Sequence, residues 1–329
     1  LRPAVGNINS QNYYTDTIGY GDICQSPVTA HIDARQIPSD QCSYGNPCNP
    51  GSGEKVWDET DASGAVPLAR SYSSLALGHS DALGPGWSFG YSARLILPKQ
   101  AALPTHVDAR GRVERDDRVG SSPVYRSRNN PGHLLTRTDG QIWQLDEASS
   151  RSLGFQAFDS SAPNSPALGR LLWQQPGKDP SQRLSLDYAT DTTITDTVFD
   201  GLVKDRLAAV IDARGRQLAF TYSYVSHQPN CGTSSANPAC GALRLVRVEL
   251  PDGGTLRYDY DAEGRLDLVT QPDNTARAYH YNEPDHLCPT ALPGACAGGT
   301  LPTGGFPHAL TGIRDIAAVQ NPQPAPAAS

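Results

Sequence analysis

The stretch Pro251–Tyr281, PDGGTLRYDYDAEGRLDLVTQPDNTARAYHY, repeats on itself at a spacing of 21 residues: Pro251, Asp252, Tyr258 and Tyr260 recur as Pro272, Asp273, Tyr279 and Tyr281. A unit this short cannot bury its apolar face alone and needs stacked neighbours. Each copy reads as a hairpin. Leu256, Tyr258 and Tyr260 share one face of a strand, with Thr255, Arg257 and Asp259 on the other. Asp261-Ala262-Glu263-Gly264 supplies the turn, with Gly264 where a positive φ is required. Arg265 to Thr270 returns, with Leu266 and Leu268 alternating. In the second copy Asn274 stands in for Gly253, and asparagine is the non-glycine residue that best tolerates the left-handed region.

Working outward, Leu218 to Tyr224 (LAFTYSY) is an earlier copy of the Tyr-x-Tyr strand. Allowing for the inserted Cys231–Cys240 loop, its Tyr222 and Tyr224 are expected in register with Tyr258 and Tyr260. The word Asp-Ala-Arg-Gly-Arg occurs at 108–112 and again at 212–216. Both copies read as hairpin turns, Asp accepting amide hydrogen bonds and Gly111 or Gly215 in the left-handed region. Further upstream, strands are expected at Glu54 to Thr60, Val66 to Tyr72 and Trp87 to Leu97. Gly84-Pro85-Gly86 bends the chain just before Trp87, whose indole is expected inside the sheet. Arg70, set among apolar residues, is expected to pair with Asp61 or Glu59.

Composition agrees with many short strands. The 329 residues include 31 Gly and 27 Pro, and 38% are hydrophobic, enough for one large β domain or two smaller ones. A net charge of −7 gives no global electrostatic case for nucleic acid. No apolar run approaches the roughly 18 residues of a membrane-spanning helix. With no methionine, even at position 1, the chain reads as a processed or excised piece of a longer protein. Of seven cysteines, Cys231 and Cys240 bracket one polar loop and Cys288 and Cys296 another. Two local disulfides in an oxidising compartment fit that bracketing; the rival metal reading lacks C-x₂-C spacing and His pairs. Cys24, Cys42 and Cys48 leave an odd thiol.

YDYDAEGRLDLVT at 258–270 resembles the repeat of the Rhs/YD-repeat family. GNPCNPGSGEKVWDETD, PLARSYSS and LGPGWSFGY resemble the segment that precedes such repeats, and LTGIRD at 310–315 a phrase that follows the first set. In that family, repeats wind into a β-sheet that spirals into a hollow shell around a variable C-terminal toxin. The resemblance implies an all-β fold of stacked antiparallel hairpins forming a curved, spiralling sheet, a partial shell with few or no helices. It divides the chain into an irregular arm at 1–44, an Rhs-type β segment at 45–100, a YD-repeat sheet at 101–315 and a Pro/Ala-rich tail at 316–329. The tail IAAVQNPQPAPAAS departs from the family, which continues with an Asn-Gly type turn and more repeats.

The function so implied is structural: an exported, bacterial, secreted or cell-surface segment that helps encapsulate or present a downstream toxin-like domain. Its partners would be the rest of the same polypeptide, with a secretion apparatus or a cell-surface glycan as further candidates. A carbohydrate- or protein-binding module working through aromatic strand faces is the alternative. No catalytic, cofactor-binding or metal residue is expected. No G-x-S-x-G elbow, H-E-x-x-H or P-loop occurs, and His280 and His286 read as ordinary strand and loop residues. The residues that should matter are structural: Trp87, Tyr222, Tyr224, Tyr258, Tyr260, Tyr279 and Tyr281, with the turn glycines Gly215, Gly253 and Gly264.

Overall fold

The structure is a computed structural model that describes residues 48–49, 54–76, 80–97, 103–147, 151–158, 167–177, 179–189, 206–226, 241–282 and 308–317. The arm at 1–44, the bracketing pairs Cys231/Cys240 and Cys288/Cys296, and nearly all of the tail lie outside those residues. The lead-in block gives β1 (Cys48–Asn49), β2 (Glu54–Ala62), β3 (Leu68–Ser73), β4 (Ser80–Asp81), β5 (Gly84–Pro85) and β6 (Trp87–Phe89). There follow β7 (Arg94–Leu97), β8 (Thr105–Val107), β9 (Val113–Arg118), β10 (Val124–Ser127), β11 (Leu134–Arg137), β12 (Ile142–Asp146), β13 (Arg151–Phe158) and β14 (Ala167–Pro176). The C-terminal set is β15 (Leu184–Tyr188), β16 (Leu207–Asp212), β17 (Gln217–Ser226), β18 (Gly241–Glu249), β19 (Thr255–Tyr260), β20 (Leu266–Thr270), β21 (Ala276–Tyr281) and β22 (Leu310–Ile316). The fold is all-β and antiparallel; its helical content among the described residues is one 3₁₀ turn at Pro180–Gln182.

Strands β7 to β22 form a 16-stranded sheet, and β1-β2-β3-β6 a separate four-stranded one. Part of the large sheet closes on itself. β14 pairs with β13 along one edge, while on the other its first half pairs with β7 and its second half with β15. β7 to β14 therefore make an eight-stranded ring, from which β15 to β22 continue as an open sheet. Gly169 permits the closure, since a Cβ there would sit 2.8 Å from the Leu95 side chain on β7. The expected strand from Trp87 to Leu97 is in fact two. The chain turns at Gly90–Ser92, so that β6 joins the small sheet and β7 the ring.

The open sheet is periodic through its β-bulges. The register shifts before Tyr188, Tyr222, Tyr260 and Tyr281, where these residues face Leu207, Leu245, Leu266 and Leu310. Each tyrosine hydroxyl then donates back one hairpin: Tyr188 to the Leu171 carbonyl (2.6 Å), Tyr222 to Leu207 (2.9 Å), Tyr260 to Leu245 (2.6 Å) and Tyr281 to Leu266 (2.7 Å). The arginine preceding the leucine lies over the same ring: Arg170 on Tyr188, Arg206 on Tyr222 and Arg265 on Tyr281, at 4.8–5.0 Å. A bulge takes backbone groups out of the ladder, and this device gives a carbonyl there a buried donor.

Two readings of the repeat need correction. Tyr222, rather than Tyr224, is equivalent to Tyr260, so Phe220 matches Tyr258; Tyr224 pairs opposite Leu243 past the bulge, packed where a Cβ on Gly241 would approach its ring to 2.3 Å. Leu266 and Leu268 do not share a face either. The bulge at Asp267 buries Leu266 and Val269 and leaves Leu268 half-exposed.

The turns follow their residues. Asp108, Asp212 and Asp261 each accept two backbone N–H groups on one carboxylate oxygen, and Gly111, Gly215 and Gly264 have φ of 79°, 78° and 71°. Gly253 (86°) and Asn274 (64°) occupy the same place in the last two hairpins. Asn274→Ala should therefore cost about 1–2 kcal/mol in chemical denaturation. Asn274→Gly should stay within about 0.5 kcal/mol of the parent.

Candidate functional site

The small sheet of the lead-in block lies over the tyrosine face of the repeats, and the seam between them holds the densest buried polar network described. Its centre is Arg70 on β3, 2% exposed. β-pairing places Arg70 directly opposite Glu59 on β2. Its Nε donates to both Asp61 oxygens, at 2.9 and 2.8 Å, and its Nη2 to Glu59 and to the Tyr279 hydroxyl. Arg70 thus takes both of its expected partners, fully buried.

The repeats supply the rest. Tyr279 donates to Glu59 (2.6 Å), and Tyr258 to Asp61 (3.0 Å). Arg277 reaches Glu59 at 3.2 Å from β21, and Trp57 donates to the same carboxylate at 2.6 Å. The guanidinium is also stacked, 4.9 Å from the Trp87 ring and 4.8 Å from that of Tyr279. Trp87 is 1% exposed, edge-on to Tyr279, and donates to the Tyr281 hydroxyl at 2.8 Å. Tyr72 donates to the His308 carbonyl and accepts from the Leu310 amide, at one of the bulges. At another, the Leu245 amide donates to the Ala82 carbonyl at 2.9 Å. Gly84 comes so close to the next turn that a Cβ would lie 2.9 Å from the Gly264 carbonyl oxygen.

Electrostatics follow from this enclosure. Burial pulls the Arg70 guanidinium down, but the adjoining Asp61, Tyr279 and Glu59 hold it above its ordinary value. Burial pushes Tyr72 up to about 12 and raises Tyr91, Tyr258, Tyr279 and Tyr281 as well. With Tyr258 and Tyr279 2% or less exposed, these rings are covered by the lead-in block and closed to a glycan. The seam buries these rings between the lead-in block and the repeat sheet.

The sequence-predicted residues thus fall into three places. Trp87, Tyr258, Tyr279 and Tyr281 meet in the seam, Tyr222, Tyr260 and again Tyr281 in the ladder, and Gly215, Gly253 and Gly264 at turns, while Tyr224 joins none of these. Glu59, Asp61, Arg70 and Tyr72 are the seam residues whose centrality the sequence understated.

A second polar cluster was missed. His106 (β8) pairs across the ladder with Glu114 (β9), and Asp116 with Ser127 (β10). Followed through the pleat, this face continues to Leu135, Leu145 and Leu153, the interior of the eight-stranded ring. His106 Nε2 is 3.2 Å from Glu114, and its Nδ1 is 3.0 Å from Asp116. Burial lowers the His106 pKa, but hydrogen bonds and charge from Asp116 and Glu114 more than offset this and raise it to about 9. The sequence signal was Glu114-x-Asp116 at strand period, opposite a histidine whose partner strand only the register reveals.

Fold and seam together define an all-β protein of stacked hairpins in which a lead-in block is sealed to a repeat sheet. Residues 45–115 match the family of a domain of unknown function, DUF6531, and residues 241–276 match the RHS Repeat. The chain carries an RHS (YD) repeat behind an Rhs-associated lead-in segment, as the resemblance implied. Comparison with curated proteins gives no match. Among solved structures, the crystal structure of TcdB2-TccC3 is similar over 70% of this chain and 17% of that one, at 12% identity and a TM-score of 0.35. The N-terminal domain of the effector protein SpvB from Salmonella typhimurium strain LT2 is similar over 76% of this chain and 93% of that one, at 13% identity and a TM-score of 0.35. This chain thus spans less than a fifth of the first of these. No helix among the described residues is long and apolar enough to cross a membrane.

Arg70→Met leaves Asp61 buried without its cation and Glu59 with Arg277 alone, and should cost about 3–5 kcal/mol. Tyr279→Phe removes one donor and should cost about 1–3 kcal/mol. Urea unfolding measures both. The five buried tyrosines set the alkaline limit. Below pH 10 they are neutral in both states; above it the unfolded chain loses protons that the folded chain keeps, so stability falls as pH rises. Each should contribute about 1.4 kcal/mol per pH unit there, and phenolate absorbance for these five should rise only with unfolding.

Proposed function

We propose that this chain is a non-catalytic structural segment of an exported Rhs-type β-shell, one that helps encapsulate or present a domain encoded downstream in the same polypeptide. The observation that carries this reading is the seam. Tyrosines of the repeat are spent on buried hydrogen bonds to the lead-in block, which is how a wall is sealed against water rather than how a ligand is received. The match to the RHS repeat supports a wall of this kind. Beyond β22 no further strand is paired among the described residues, and additional hairpins of the parent protein would add at that edge. The cargo, its toxicity and its export belong to the proposal.

Limited proteolysis of the full parent polypeptide tests it. The downstream domain should stay with the shell after cleavage and resist protease until the shell is denatured. Digestion of that domain at the rate of the isolated domain would sink the reading, as would a parent polypeptide with nothing downstream. Saturable binding of this chain to peptidoglycan would favour the surface-module alternative.

A further inference from the structure

The ring β7–β14 has an interior of two chemistries. Leu95, Leu135, Leu145, Leu153, Phe155 and Leu171 are buried along it, each 2% exposed or less. The same pleated face also carries His106, Glu114, Asp116 and Ser127, also buried. His133 joins them from the β10–β11 turn, its side chain 21% exposed, with Nδ1 3.5 Å from Glu114 Oε2. Buried ionisable groups in an apolar ring are costly unless something balances them.

We propose that His106, Glu114 and His133 form a binding site for a divalent transition metal, of which Zn²⁺ is the best fit. Ligand atoms of these three residues all lie within 4.8 Å of one another. Tetrahedral zinc with bonds of about 2.0–2.1 Å holds neighbouring donors about 3.3 Å apart. The Glu114 Oε2 separations, 3.2 Å to His106 Nε2 and 3.5 Å to His133 Nδ1, match two edges of that tetrahedron. Two imidazoles and a carboxylate are the donor set of an open zinc site, with the fourth position left to water. Glu114 alone cannot satisfy His133, whose Nδ1 is buried yet makes no hydrogen bond among the described residues.

The surroundings are those of a metal site. Asp116, fully buried, sits 3.0 Å from His106 Nδ1, the carboxylate–histidine arrangement that fixes a ligand's tautomer and orientation. Ser127 Oγ donates to Glu114 Oε2 at 2.6 Å, and Asn130 Nδ2 donates to Oε1, so the carboxylate is aimed from both sides. A bound divalent cation would cancel the two negative charges of Glu114 and Asp116, taking the place of the proton that these carboxylates hold on His106 without a metal. Bound there, the metal would tie the β8–β9 hairpin to the β10–β11 turn and lock one end of the ring. Nothing in the sequence points to this metal, because His106 and His133 are 27 residues apart.

The test uses the whole chain with cysteines alkylated, to remove thiolate sites, titrated with Zn²⁺ and with Co²⁺ as a coloured substitute. One Zn²⁺ per chain is expected, with the Co²⁺ form showing tetrahedral d–d bands. His133→Gln, at a partly exposed position that leaves the ring intact, should weaken Zn²⁺ at least 10-fold. Asp116→Asn, which spares all three ligands, should weaken it about 10–100-fold. The proposal is overturned by octahedral Co²⁺ spectra, by affinity unchanged in His133→Gln, or by no binding at one equivalent. An unchanged circular dichroism spectrum in each variant separates lost ligation from lost folding. A protein that binds Zn²⁺ here remains compatible with failure of the shell reading, and the reverse holds equally.

Discussion

The hydrogen bond from a tyrosine hydroxyl to a leucine carbonyl at a β-bulge is the constraint on which the open half of this molecule depends. A bulge bends and twists a strand, which lets a sheet curve, but it also withdraws backbone groups from the ladder. Here one bulge per hairpin is matched by one tyrosine from the next hairpin, donating over 2.6–2.9 Å. The arginine before each of three of those leucines covers the ring that reaches over. The three parts of the repeat signature, Tyr-x-Tyr, Gly at the turn and Arg-Leu on the return, are thus one mechanism spread over two neighbouring units. No single hairpin contains it, so the device exists only when hairpins stack.

That coupling explains why the lead-in block is polar where it meets the sheet. The first tyrosine of each pair points its hydroxyl away from the ladder, into what would be a dry interface, where an unpaired phenol is costly. Asp61 and Glu59 accept from Tyr258 and Tyr279, and Arg70 balances the two carboxylates while stacking on Trp87 and Tyr279. An apolar cover would have left the hydroxyls stranded. In the earlier copy the corresponding residue is Phe220, which has no hydroxyl, and the block answers it with Phe89, stacked at 5.8 Å. The cover is complementary position by position.

Much of this was legible in the sequence, for physical reasons that also mark its limits. Turn chemistry is local, so Asp212, Gly215, Gly253, Gly264 and Asn274 announced their hairpins. The 21-residue spacing identified the last two units because their loops have equal length. It misplaced Tyr222 and Tyr224 because period-two alternation makes a shift of two residues invisible to face-counting. Only the bulge position resolves it, and a bulge is a property of the pair of strands. The unit around Tyr188 went unseen for the same reason: its identity lies in the bond to Leu171. Closure of the ring through Gly169 and Leu95, and the meeting of His106 with Glu114 and His133, are likewise matters of register and pairing rather than of composition.

The last rung of the ladder shows how far the lead-in block substitutes for a repeat. Leu310 faces Tyr281 across a bulge, as Leu207, Leu245 and Leu266 face their tyrosines. By the pattern its carbonyl should receive a tyrosine hydroxyl from a following hairpin. It accepts instead from the Lys55 ammonium of β2, a group whose pKa burial lowers. The Leu310 amide is taken by Tyr72 of β3. Both backbone groups of the bulge are therefore held by the lead-in block, 255 and 238 residues earlier in the chain. A hairpin added at β22 could pair along the outer edge of that strand, but its tyrosine would have to displace Lys55 from the carbonyl. The lead-in block thus satisfies both backbone groups of this bulge, in the place that the pattern gives to a tyrosine of a neighbouring hairpin.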